Sequence, residues 1–377
     1  MEQPGACRLL SIVWYRIFPA KMGGQKGIAH FNEALAKEAG LFCLCARSNN
    51  TGETHSYKVL PELPTGKLQF INPFTWKRIF KRVKEIKPSH LLIEHPYYGF
   101  MAVRAKKKFG IPFIVHEHNL EWQRFSSMKR LGWRLLKAYE GFVLRRAALV
   151  LFKTEEDRQA AILHHRLQAE RTFTVPYGTW LQERPVHTVD NNQWLHVRYP
   201  IPHNHLILYF NGTFDYTPNS EALEHISNHI FPLLEKEGIA FTLLLTGKNL
   251  PEGFMERNDR YSVIYTELAD DPGEYYTGCD VFINPVLSGG GVRTKLVEAL
   301  AHNARCVSTQ TGAAGIPPVL GGKNLYVCPD GNWKAFTHAI ITAANAPKET
   351  PVEFYETLHW PRIARETVAK INSTAGK

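Results

Sequence analysis

Residues 280–301 have the sequence DVFINPVLSGGGVRTKLVEALA, which carries the clearest indication of a fold in this chain. Its opening run DVFINP is typical of a short buried strand, and VRTKLVEALA has the apolar spacing of a helix. Three consecutive glycines, Gly289, Gly290 and Gly291, connect the two. A buried strand that turns tightly into a helix is half of a right-handed βαβ unit, so this stretch predicts a parallel α/β sheet.

Outward from this stretch, the same alternation of strand and helix forms two series. The first begins with a strand at residues 9–18 and includes one long helix from about residue 120 to 147. The second begins with the strand LILYFNG at residues 206–212. Residues 178–205 hold polar and proline breakers without a clear period, and we interpret them as a linker. The sequence therefore predicts an α/β protein with two Rossmann-like parallel-sheet domains facing a cleft.

The composition is that of an ordinary globular protein, with 44% hydrophobic and 21% charged residues. This excludes a mostly disordered chain. No apolar run approaches the roughly 20 residues that span a bilayer. The six cysteines are scattered through apolar runs without a CxxC pair. They predict reduced core thiols in a cytoplasmic protein.

The net charge of +10 is concentrated in one part of the chain. Residues 71–146 hold 17 Lys and Arg against five Glu and no Asp, so this segment carries +12 and the remainder is slightly negative. Such a segment indicates an anionic partner, which is a nucleic acid, an anionic membrane surface or an acidic ligand. A solvated helical surface that is simply rich in lysine is the alternative.

The glycine turn also predicts chemistry. Its backbone N–H groups and the helix N-terminus that follows favour a phosphate. Arg293 and Lys295 fall in the first helical turn, where cations oppose the helix dipole, and a ligand with two or more negative charges offsets that cost. Glu298, one turn later, is placed to accept two hydrogen bonds from a vicinal diol such as ribose.

The pattern P-x-x-x-G-G-G-x-R-x-K-x-x-E-A-L-A, followed by a strand and Thr-x-x-G, resembles the donor-site signature of family 4 glycosyltransferases of GT-B fold. MGGQKGIAHFNEALAKEAG, HEHNLEWQRF, FNGTFDYTPNSEAL and LHWPRIARE resemble further segments of that family, in order along nearly the whole chain. The resemblance implies a GT-B fold with an acceptor-side domain at 1–177, a linker at 178–205 and a nucleotide-sugar domain at 206–346. It also implies terminal helices at 347–377 that cross back to the N-terminal domain.

The function that the resemblance implies is retaining transfer of a sugar from a nucleotide-diphosphate sugar to an acceptor hydroxyl, in the assembly of surface polysaccharide or glycolipid. The acceptor is then a sugar or a lipid-linked sugar, and the enzyme is similar to a hexosyltransferase. No cofactor and no metal are expected. The chain has no Asp-x-Asp motif, and GT-B enzymes place phosphate-binding residues where other transferases use a divalent ion.

The predicted site residues fall into three groups. The predicted catalytic residues are His118, Arg293, Lys295 and Glu298. The predicted donor-binding residues are Asn211, Gly212, Thr213, Gly289, Gly290, Gly291 and Thr294. The predicted acceptor-side residues are Gly23, Gly24, His95, Glu117 and Asn119. Strand alternation places His116 and His118 on one face of a strand and Glu117 on the other.

Two departures from the family pattern concern the donor site. Many members carry two glutamates eight residues apart, and here Glu298 is present while the earlier position is Gly290. Many members also have a Lys-Gly pair where this chain has Pro218-Asn219. We expect Arg293 and Lys295 to replace the missing contact to the diphosphate, and no specific sugar is implied.

Two other functions remain open at this point. A nucleotide-sugar epimerase of GT-B fold needs the same donor site with additional acid and base residues. A nucleic-acid-binding protein would use the basic half, although the chain has no recognised nucleic-acid-binding module. If the chain is a transferase, we expect the basic segment 71–146 either to dock peripherally on the inner face of an anionic membrane or to bind an acidic soluble acceptor.

Overall fold

The computed structural model describes residues 7–20, 22–50, 52, 54–186, 191–267 and 272–374. The chain forms two compact units. Unit 1 comprises the described residues up to Gly178 together with those from Trp360 onward, and unit 2 comprises those of Thr179–His359. Among the helices in these ranges, none combines the length and the apolar character that crossing a bilayer requires.

Unit 1 is built on a sheet in which seven strands of the described chain run parallel in the order β3-β2-β1-β4-β5-β6-β7. The strands are β1 (Arg8–Val13), β2 (Gly40–Ala46), β3 (Lys58–Leu63), β4 (His90–Glu94), β5 (Phe113–Glu117), β6 (Leu149–Phe152) and β7 (Thr172–Thr174). The helices are α1 (Gly23–Glu38), α2 (Pro73–Ile86), α3 (Gly99–Phe109), α4 (Glu121–Ser127), α5 (Trp133–Leu144) and α6 (Glu155–His165). Every residue of β4, β5 and β6 is buried, as expected for parallel strands covered on both faces.

Unit 2 contains a second parallel sheet, in which six strands of the described chain follow the order β10-β9-β8-β11-β12-β13. The strands are β8 (Leu206–Thr213), β9 (Phe241–Lys248), β10 (Ser262–Thr266), β11 (Val281–Asn284), β12 (Cys306–Thr309) and β13 (Leu325–Cys328). The helices are α7 (Asn191–Arg198), α8 (Thr217–His225), α9 (Phe231–Lys236), α10 (Phe254–Arg257), α11 (Pro272–Gly278), α12 (Thr294–Ala301), α13 (Pro318–Gly321), α14 (Trp333–Ala344) and α15 (Val352–Thr357). The two sheets confirm the predicted pair of Rossmann-like domains.

The last helix, α16 (Trp360–Thr374), belongs to unit 1 and packs on α1. Its first residue, Trp360, is fully buried and lies against the rings of Phe31 and Tyr177. The terminal segment predicted at 347–377 is therefore divided, because α15 stays with unit 2 and α16 alone is part of unit 1.

Three local expectations differ from the structure. The long helix predicted over 120–147 is wrong, because Lys129 and Gly132 adopt left-handed backbone conformations that end α4 and precede α5. The predicted linker contains α7, which packs on α11, and its residues 187–190 lie outside the described residues. Strand β3 has no counterpart in the prediction, because Pro61 interrupts its pattern; proline is tolerated since β3 lies at the edge of the sheet.

Candidate active site

The turn between β11 and α12 has the tight geometry that its glycines permit. Gly289 and Gly291 have φ angles of +90° and +75°, in the left-handed region that L side chains rarely adopt. A Cβ atom at Gly289 would lie 3.1 Å from both Arg293 Nη2 and Pro218 Cγ. Helix α12 then begins at Thr294. The turn thus brings exposed backbone to the N-terminus of a helix, where an anion is favoured.

Lys295 lies at the centre of this site. Its side chain is half-buried, and its ammonium donates hydrogen bonds of 2.7 Å to the backbone oxygen of Asn211 and to Oδ1 of Asn219. Nζ also lies 4.2 Å from the centroid of the Phe210 ring. Burial, together with the nearby charge of Arg293, lowers the pKa of Lys295 to about 7, and the charge of Glu298 opposes this change.

The position of Lys295 bears on the missing Lys-Gly pair. Asn219 occupies the place where that pair is expected, and the ammonium of Lys295 lies beside it. A Cβ atom at Gly212 would lie 3.2 Å from Lys295 Nζ and 2.6 Å from Asn219 Nδ2, so the glycine leaves room for both side chains. A lysine charge thus reaches this turn from α12 instead of from the β8–α8 connection.

Arg293 is the second cation of the site. It is buried, and its guanidinium donates to the backbone oxygens of Ser288 at 2.6 Å and Gly290 at 3.3 Å. Its Nε has no hydrogen-bond partner among the described residues. Burial lowers the pKa of Arg293 from its usual value. Ser288 is in turn held through its hydroxyl, which donates to Glu221.

The end of β8 supplies the remaining predicted donor residues. Asn211 donates through Nδ2 to the hydroxyls of Tyr276 at 2.7 Å and Tyr209 at 3.2 Å. The backbone oxygen of Thr213 accepts from Asn219 Nδ2 at 2.9 Å. Glu298 is half-buried on α12, one turn beyond Thr294. The sequence did not suggest Tyr276, because a lone tyrosine on a short helix carries no recognisable signal.

A second cluster lies in unit 1, where β4 and β5 end. Glu94 is fully buried, and its Oε2 lies 2.9 Å from Nδ1 of His116 and 2.6 Å from Nε2 of His118. The two histidine rings are 4.5 Å apart. Both histidines contact the same carboxylate, which bears out the expectation that they share one face of the strand.

The ionisation of this cluster follows from burial and charge. Burial alone would raise the pKa of Glu94, but the adjoining His116 and His118, which are protonated only in acid, outweigh it and hold that pKa well below its usual range. Burial lowers the pKa of His116 to about 4, against the opposing effect of Glu94. Burial also lowers the pKa of His118. At neutral pH the arrangement is therefore a carboxylate beside two neutral imidazoles.

His95 and Asn119 converge on Glu121 beside this cluster. The His95 ring stacks on His118 with centroids 4.5 Å apart, and its Nδ1 lies 3.4 Å from Glu121 Oε1. Asn119 Nδ2 donates to the same oxygen at 3.1 Å. Glu121 is buried and also accepts from Tyr97 and Arg124. Two of the predicted acceptor-side residues are thus brought next to His118.

Lys153 belongs to the same buried group and was not found from the sequence. It follows β6, is almost fully buried, and its Nζ has no hydrogen-bond partner among the described residues. Nζ lies 5.4 Å from the Phe31 ring and 5.9 Å from the Trp360 ring. Burial lowers the pKa of Lys153 to about 8, and the negative charge of Glu94 opposes that change. A single lysine after a strand gives no sequence signal.

The structure places other acceptor-side residues apart from these histidines. Glu117 points to the opposite face of the strand, where it is fully buried, and neither carboxylate oxygen has a partner among the described residues. Burial, with the charge of Glu140, raises its pKa well above the usual value. Gly23 begins α1, and a Cβ atom at Gly24 would meet nothing within 4 Å.

One group of side chains has the chemistry of metal ligands. The donor atoms of Glu94, His116 and His118 lie within 4.8 Å of one another, and the described residues contain no other such group. The 2.6 Å separation between Glu94 Oε2 and His118 Nε2 is that of a hydrogen bond. Two ligands that each lie about 2.0–2.2 Å from one ion in tetrahedral geometry are farther apart than this. We therefore describe the group as a hydrogen-bonded network.

Two family models match the chain. The model described as "Glycosyl transferase 4-like domain" matches residues 42–178, and the model described as "Glycosyl transferases group 1" matches residues 205–346. This chain belongs to the family 4 glycosyltransferases. The two matches fall on the two sheets, so the glycosyltransferase contains both halves of the family architecture.

Solved structures show that this glycosyltransferase has the GT-B fold. Sucrose-phosphate synthase from Thermosynechococcus elongatus is similar with a TM-score of 0.73 at 17% identity, over 97% of this chain and 99% of that one. HepE from Anabaena in complex with UDP-glucose gives 0.66 at 12% identity, over 97% and 98%. WaaG, a glycosyltransferase involved in lipopolysaccharide biosynthesis, gives 0.65 at 12% identity, over 96% and 95%.

A curated relative is similar over a shorter region. The chain is 28% identical over 148 residues to an uncharacterised 44.6 kDa protein in the cps region of Klebsiella pneumoniae. The match spans 37% of this glycosyltransferase and 36% of that relative.

Proposed function

We propose that this glycosyltransferase moves a sugar from a nucleotide-diphosphate sugar to an acceptor hydroxyl with retention of anomeric configuration. The observation that carries the proposal is the half-buried ammonium of Lys295 beside the buried Arg293, at the helix N-terminus behind the glycine turn. Two cations, one buried and one half-buried, beside exposed backbone amides suit a diphosphate, which brings at least two negative charges. The similarity to a structure that contains UDP-glucose supports this donor class.

The chemistry proposed for this site is electrostatic. As the bond between the sugar carbon and the diphosphate breaks, negative charge develops on the departing phosphate oxygens. Lys295, Arg293 and the amides of the glycine turn stabilise that charge. This is the role that a divalent ion has in other transferases, so we propose that transfer needs no metal. Glu298 accepts hydrogen bonds from the ribose diol.

Retention with front-face attack is favoured by where the carboxylates of unit 1 lie. Glu94 and Glu117 are the glutamates at the ends of β4 and β5, and both are fully buried. Glu94 is also engaged by two histidines. A carboxylate buried in this way is not free to attack a sugar carbon, so a covalent glycosyl-enzyme intermediate is disfavoured. His118, which is 12% exposed, is the proposed contact to the acceptor hydroxyl.

The proposed pathway is the assembly of a surface polysaccharide or glycolipid. The Klebsiella relative lies in a cps region, and WaaG takes part in lipopolysaccharide biosynthesis. The acceptor is then a sugar or a lipid-linked sugar. A cytoplasmic location is part of the same proposal, and it is supported by the six cysteines, which are all buried thiols.

We also propose that unit 1 docks on an anionic membrane through its basic turn, defined as residues 128–135. Leu131 is fully exposed, Leu135 is 78% exposed and Met128 is 46% exposed. Met128 and Leu135 have the apolar spacing of a core-facing helix in the sequence, but the break between α4 and α5 leaves both exposed. Apolar tips of this kind enter the boundary between headgroups and acyl chains.

The charges around the basic turn fit the same partner. Between residues 121 and 140 the basic side chains are Arg124, Lys129, Arg130, Arg134 and Lys137. The acidic residues of that range, Glu121 and Glu140, are both buried. Cations around an exposed apolar tip are attracted to anionic lipid headgroups, and a lipid-linked acceptor gives this docking a purpose. Binding of a soluble acidic acceptor at the same surface is the competing outcome.

Product analysis tests the proposed reaction. Purified protein is incubated with nucleotide-sugar donors, with and without candidate acceptors, and the products are analysed by mass spectrometry and anomeric NMR. We expect an acceptor-dependent glycoside that keeps the anomeric configuration of the donor. A changed sugar in the absence of acceptor would identify an epimerase, and an inverted product would exclude retention.

A further inference from the structure

We propose that unit 1 contacts an anionic bilayer at a second point, the α2 tip, defined as residues 67–77. The inference rests on the membrane docking in the proposed function and deepens it. With the basic turn as the first point, a second point sets which edge of unit 1 faces the lipid. That edge is the one at which the parallel strands end, and the acceptor class that this orientation favours is a lipid-linked sugar.

The α2 tip carries three exposed apolar side chains. Leu68 and Phe74 are each 77% exposed, and Ile71 is 64% exposed. They lie where a short 3₁₀ turn meets the start of α2. Asn72 caps the helix by accepting a hydrogen bond of 2.9 Å from the backbone N–H of Phe74, and Pro73 at the first helical position favours the same conformation. Three large apolar side chains on one short exposed segment indicate a contact surface.

The α2 tip is attached to the edge of the sheet at which the strands end. It follows β3, and Gln69 within it donates to the backbone oxygen of Trp14 at 3.3 Å and accepts from the hydroxyl of Tyr98 at 2.6 Å. Trp14 directly follows β1, and Tyr98 lies shortly after β4. The ring of Phe70 stacks on that of Tyr97 with centroids 5.2 Å apart. Contacts to the segments after two neighbouring strands therefore hold the tip at this edge.

The basic turn is connected to the same edge of unit 1. Helix α4 follows β5, and its first residue, Glu121, accepts from the hydroxyl of Tyr97, the residue on which Phe70 stacks. Arg124, one turn later, donates to the same carboxylate and precedes the basic turn by four residues. A continuous line of contacts within unit 1 therefore joins the α2 tip to the basic turn.

The helices behind the α2 tip carry cations on their outer sides. Helix α2 exposes three lysines, and α3 exposes three lysines and an arginine. The two helices lie side by side, since the ring of Phe80 is 5.4 Å from that of Phe109. The acidic residue of these helices is Glu85, which forms ion pairs with Lys81 and Arg82. This cationic surface is complementary to anionic headgroups.

The combination of side chains selects a bilayer among the possible partners. A second copy of this chain would bring the same cations against each other, and like charges oppose such a contact. A soluble polyanion would pair with the lysines but would leave Leu68 and Phe74 in water. An anionic bilayer covers both kinds of side chain, because its headgroups attract the lysines and the boundary beneath them accepts the apolar groups.

Labels that report their surroundings test the second contact. The six native cysteines are all buried, so a cysteine introduced at an exposed position of the full chain can be labelled selectively with the dye NBD. The variants are Leu68→Cys, Phe74→Cys, Leu131→Cys and the control Leu163→Cys. Leu163 is also exposed, but it lies two turns into α6, away from the edge at which β6 ends. The probes are vesicles of phosphatidylglycerol and of phosphatidylcholine at two salt concentrations, and dextran sulfate as a soluble polyanion.

We expect phosphatidylglycerol vesicles at low salt to shift the emission of the labels at 68, 74 and 131 to the blue, and to leave the label at 163 as it is in buffer. If only the label at 131 shifts, the basic turn docks alone and the second contact is wrong. If no label shifts, the proposed docking fails as well, and binding of dextran sulfate would then favour a soluble acidic partner. A shift at 68 that grows with protein concentration without vesicles would overturn the bilayer in favour of a second copy.

A double variant measures how much the α2 tip contributes. Leu68→Ser with Phe74→Ser should weaken binding to anionic vesicles by about tenfold or more, because two large apolar side chains no longer enter the lipid boundary. The control is Val319→Ser, which changes an exposed apolar residue of unit 2 and should leave vesicle binding unchanged. Thermal unfolding checks that each variant is folded. Equal vesicle binding by the folded double variant and the wild type would contradict the second contact.

Discussion

At the scale of single residues, the protonation of Lys295 links the donor site to pH. Its pKa is lowered from 10.5 to about 7 by burial, so the ammonium predominates below pH 7 and the neutral amine above it. We expect the affinity for a nucleotide sugar to fall as the pH rises from 6 to 8.5. A nucleotide sugar is the suitable ligand because its phosphates are both esterified and do not titrate in this range.

Isothermal titration across this range measures the effect. In Lys295→Arg the side chain stays charged at every pH used, so its affinity should change much less with pH. An affinity that rises with pH in the wild-type protein would contradict a protonated Lys295 as the phosphate ligand.

Glu117 gives a prediction about stability. Its folded-state pKa is raised by burial and by Glu140, so its stabilising contribution is complete below the unfolded pKa of about 4.3 and is lost as the pH rises through the folded pKa. Removing the charge with Glu117→Gln should raise the melting temperature at pH 8 by a few degrees and have little effect at pH 4.5. Calorimetry at the two pH values measures this.

The control for Glu117 is Glu170→Gln, since Glu170 is exposed. That change should alter the melting temperature at neither pH. If Glu117→Gln destabilised the protein at pH 8 as strongly as at pH 4.5, the carboxyl would not be a buried charge that costs stability.

The residues of the site were predictable to different degrees. Arg293, Lys295 and the glycines lie within one continuous motif, so their approach to each other follows from local geometry. Glu94 ends β4 and Lys153 follows β6, and they are near the histidines that end β5 because adjacent parallel strands end at one edge of the sheet. Without the strand order, nothing in the sequence pairs them.

At the scale of elements, the basic turn between α4 and α5 should bind anionic vesicles. Each basic residue near an anionic surface contributes about 1 kcal/mol, and the attraction decays within a Debye length of about 8 Å. We expect binding to be weak, to decrease steeply with salt, and to be lost in a Leu131→Ser, Leu135→Ser double variant. Co-sedimentation with anionic and neutral vesicles at two salt concentrations measures this.

Matched variants separate the apolar and the charged contributions. Leu163→Ser is the control, because Leu163 is 74% exposed on α6 and lies outside the basic turn. Lys129→Ser with Arg130→Ser should lower the salt dependence. If the wild-type protein does not bind anionic vesicles even at low salt, membrane docking is wrong and a soluble acidic acceptor takes its place.

The elements themselves were largely predictable, since the alternation of apolar runs and helical patterns carries through both sheets. The exceptions have local causes. The apolar spacing of 120–147 continues through residues 128–132, and nothing in the composition there other than Gly132 signals a break. Exposed Leu131 and Leu135 show that periodicity identifies a helical face without showing that the face is covered.

At the scale of the whole molecule, we expect transfer without an added divalent metal. The cations Arg293 and Lys295 neutralise the diphosphate, so turnover should persist in excess EDTA. Rate assays with EDTA, with and without added magnesium or manganese, measure this. A modest increase with metal is compatible, because metals also assist release of the nucleoside diphosphate. Complete loss in EDTA that either metal restores would contradict the prediction.

Solved structures that are only 12–17% identical to this chain share its two-domain fold. Two parallel sheets tolerate wide substitution as long as buried strands alternate with helices. The donor turn is a local variation on that framework, in which Gly290 and Pro218 stand where the family resemblance implies a glutamate and a lysine. Arg293 and Lys295 make this turn cationic without any change to the fold.

The central claim is that the N-terminus of α12 binds the nucleotide diphosphate of the donor. The measurement is the thermal shift of the protein with a panel of nucleotide sugars, for the wild type and for Lys295→Ala, Glu298→Ala and the control Lys323→Ala, which removes an exposed lysine. A ligand at a hundred times its Kd adds about 2.7 kcal/mol of stability. Loss of a charged contact costs about 1.5–3 kcal/mol, or roughly ten- to a hundredfold in affinity.

We predict that a nucleotide sugar stabilises the wild type and Lys323→Ala equally, and that the shift is strongly reduced in Lys295→Ala and Glu298→Ala although both remain folded. Unchanged nucleotide-sugar affinity in both of these variants would contradict the account.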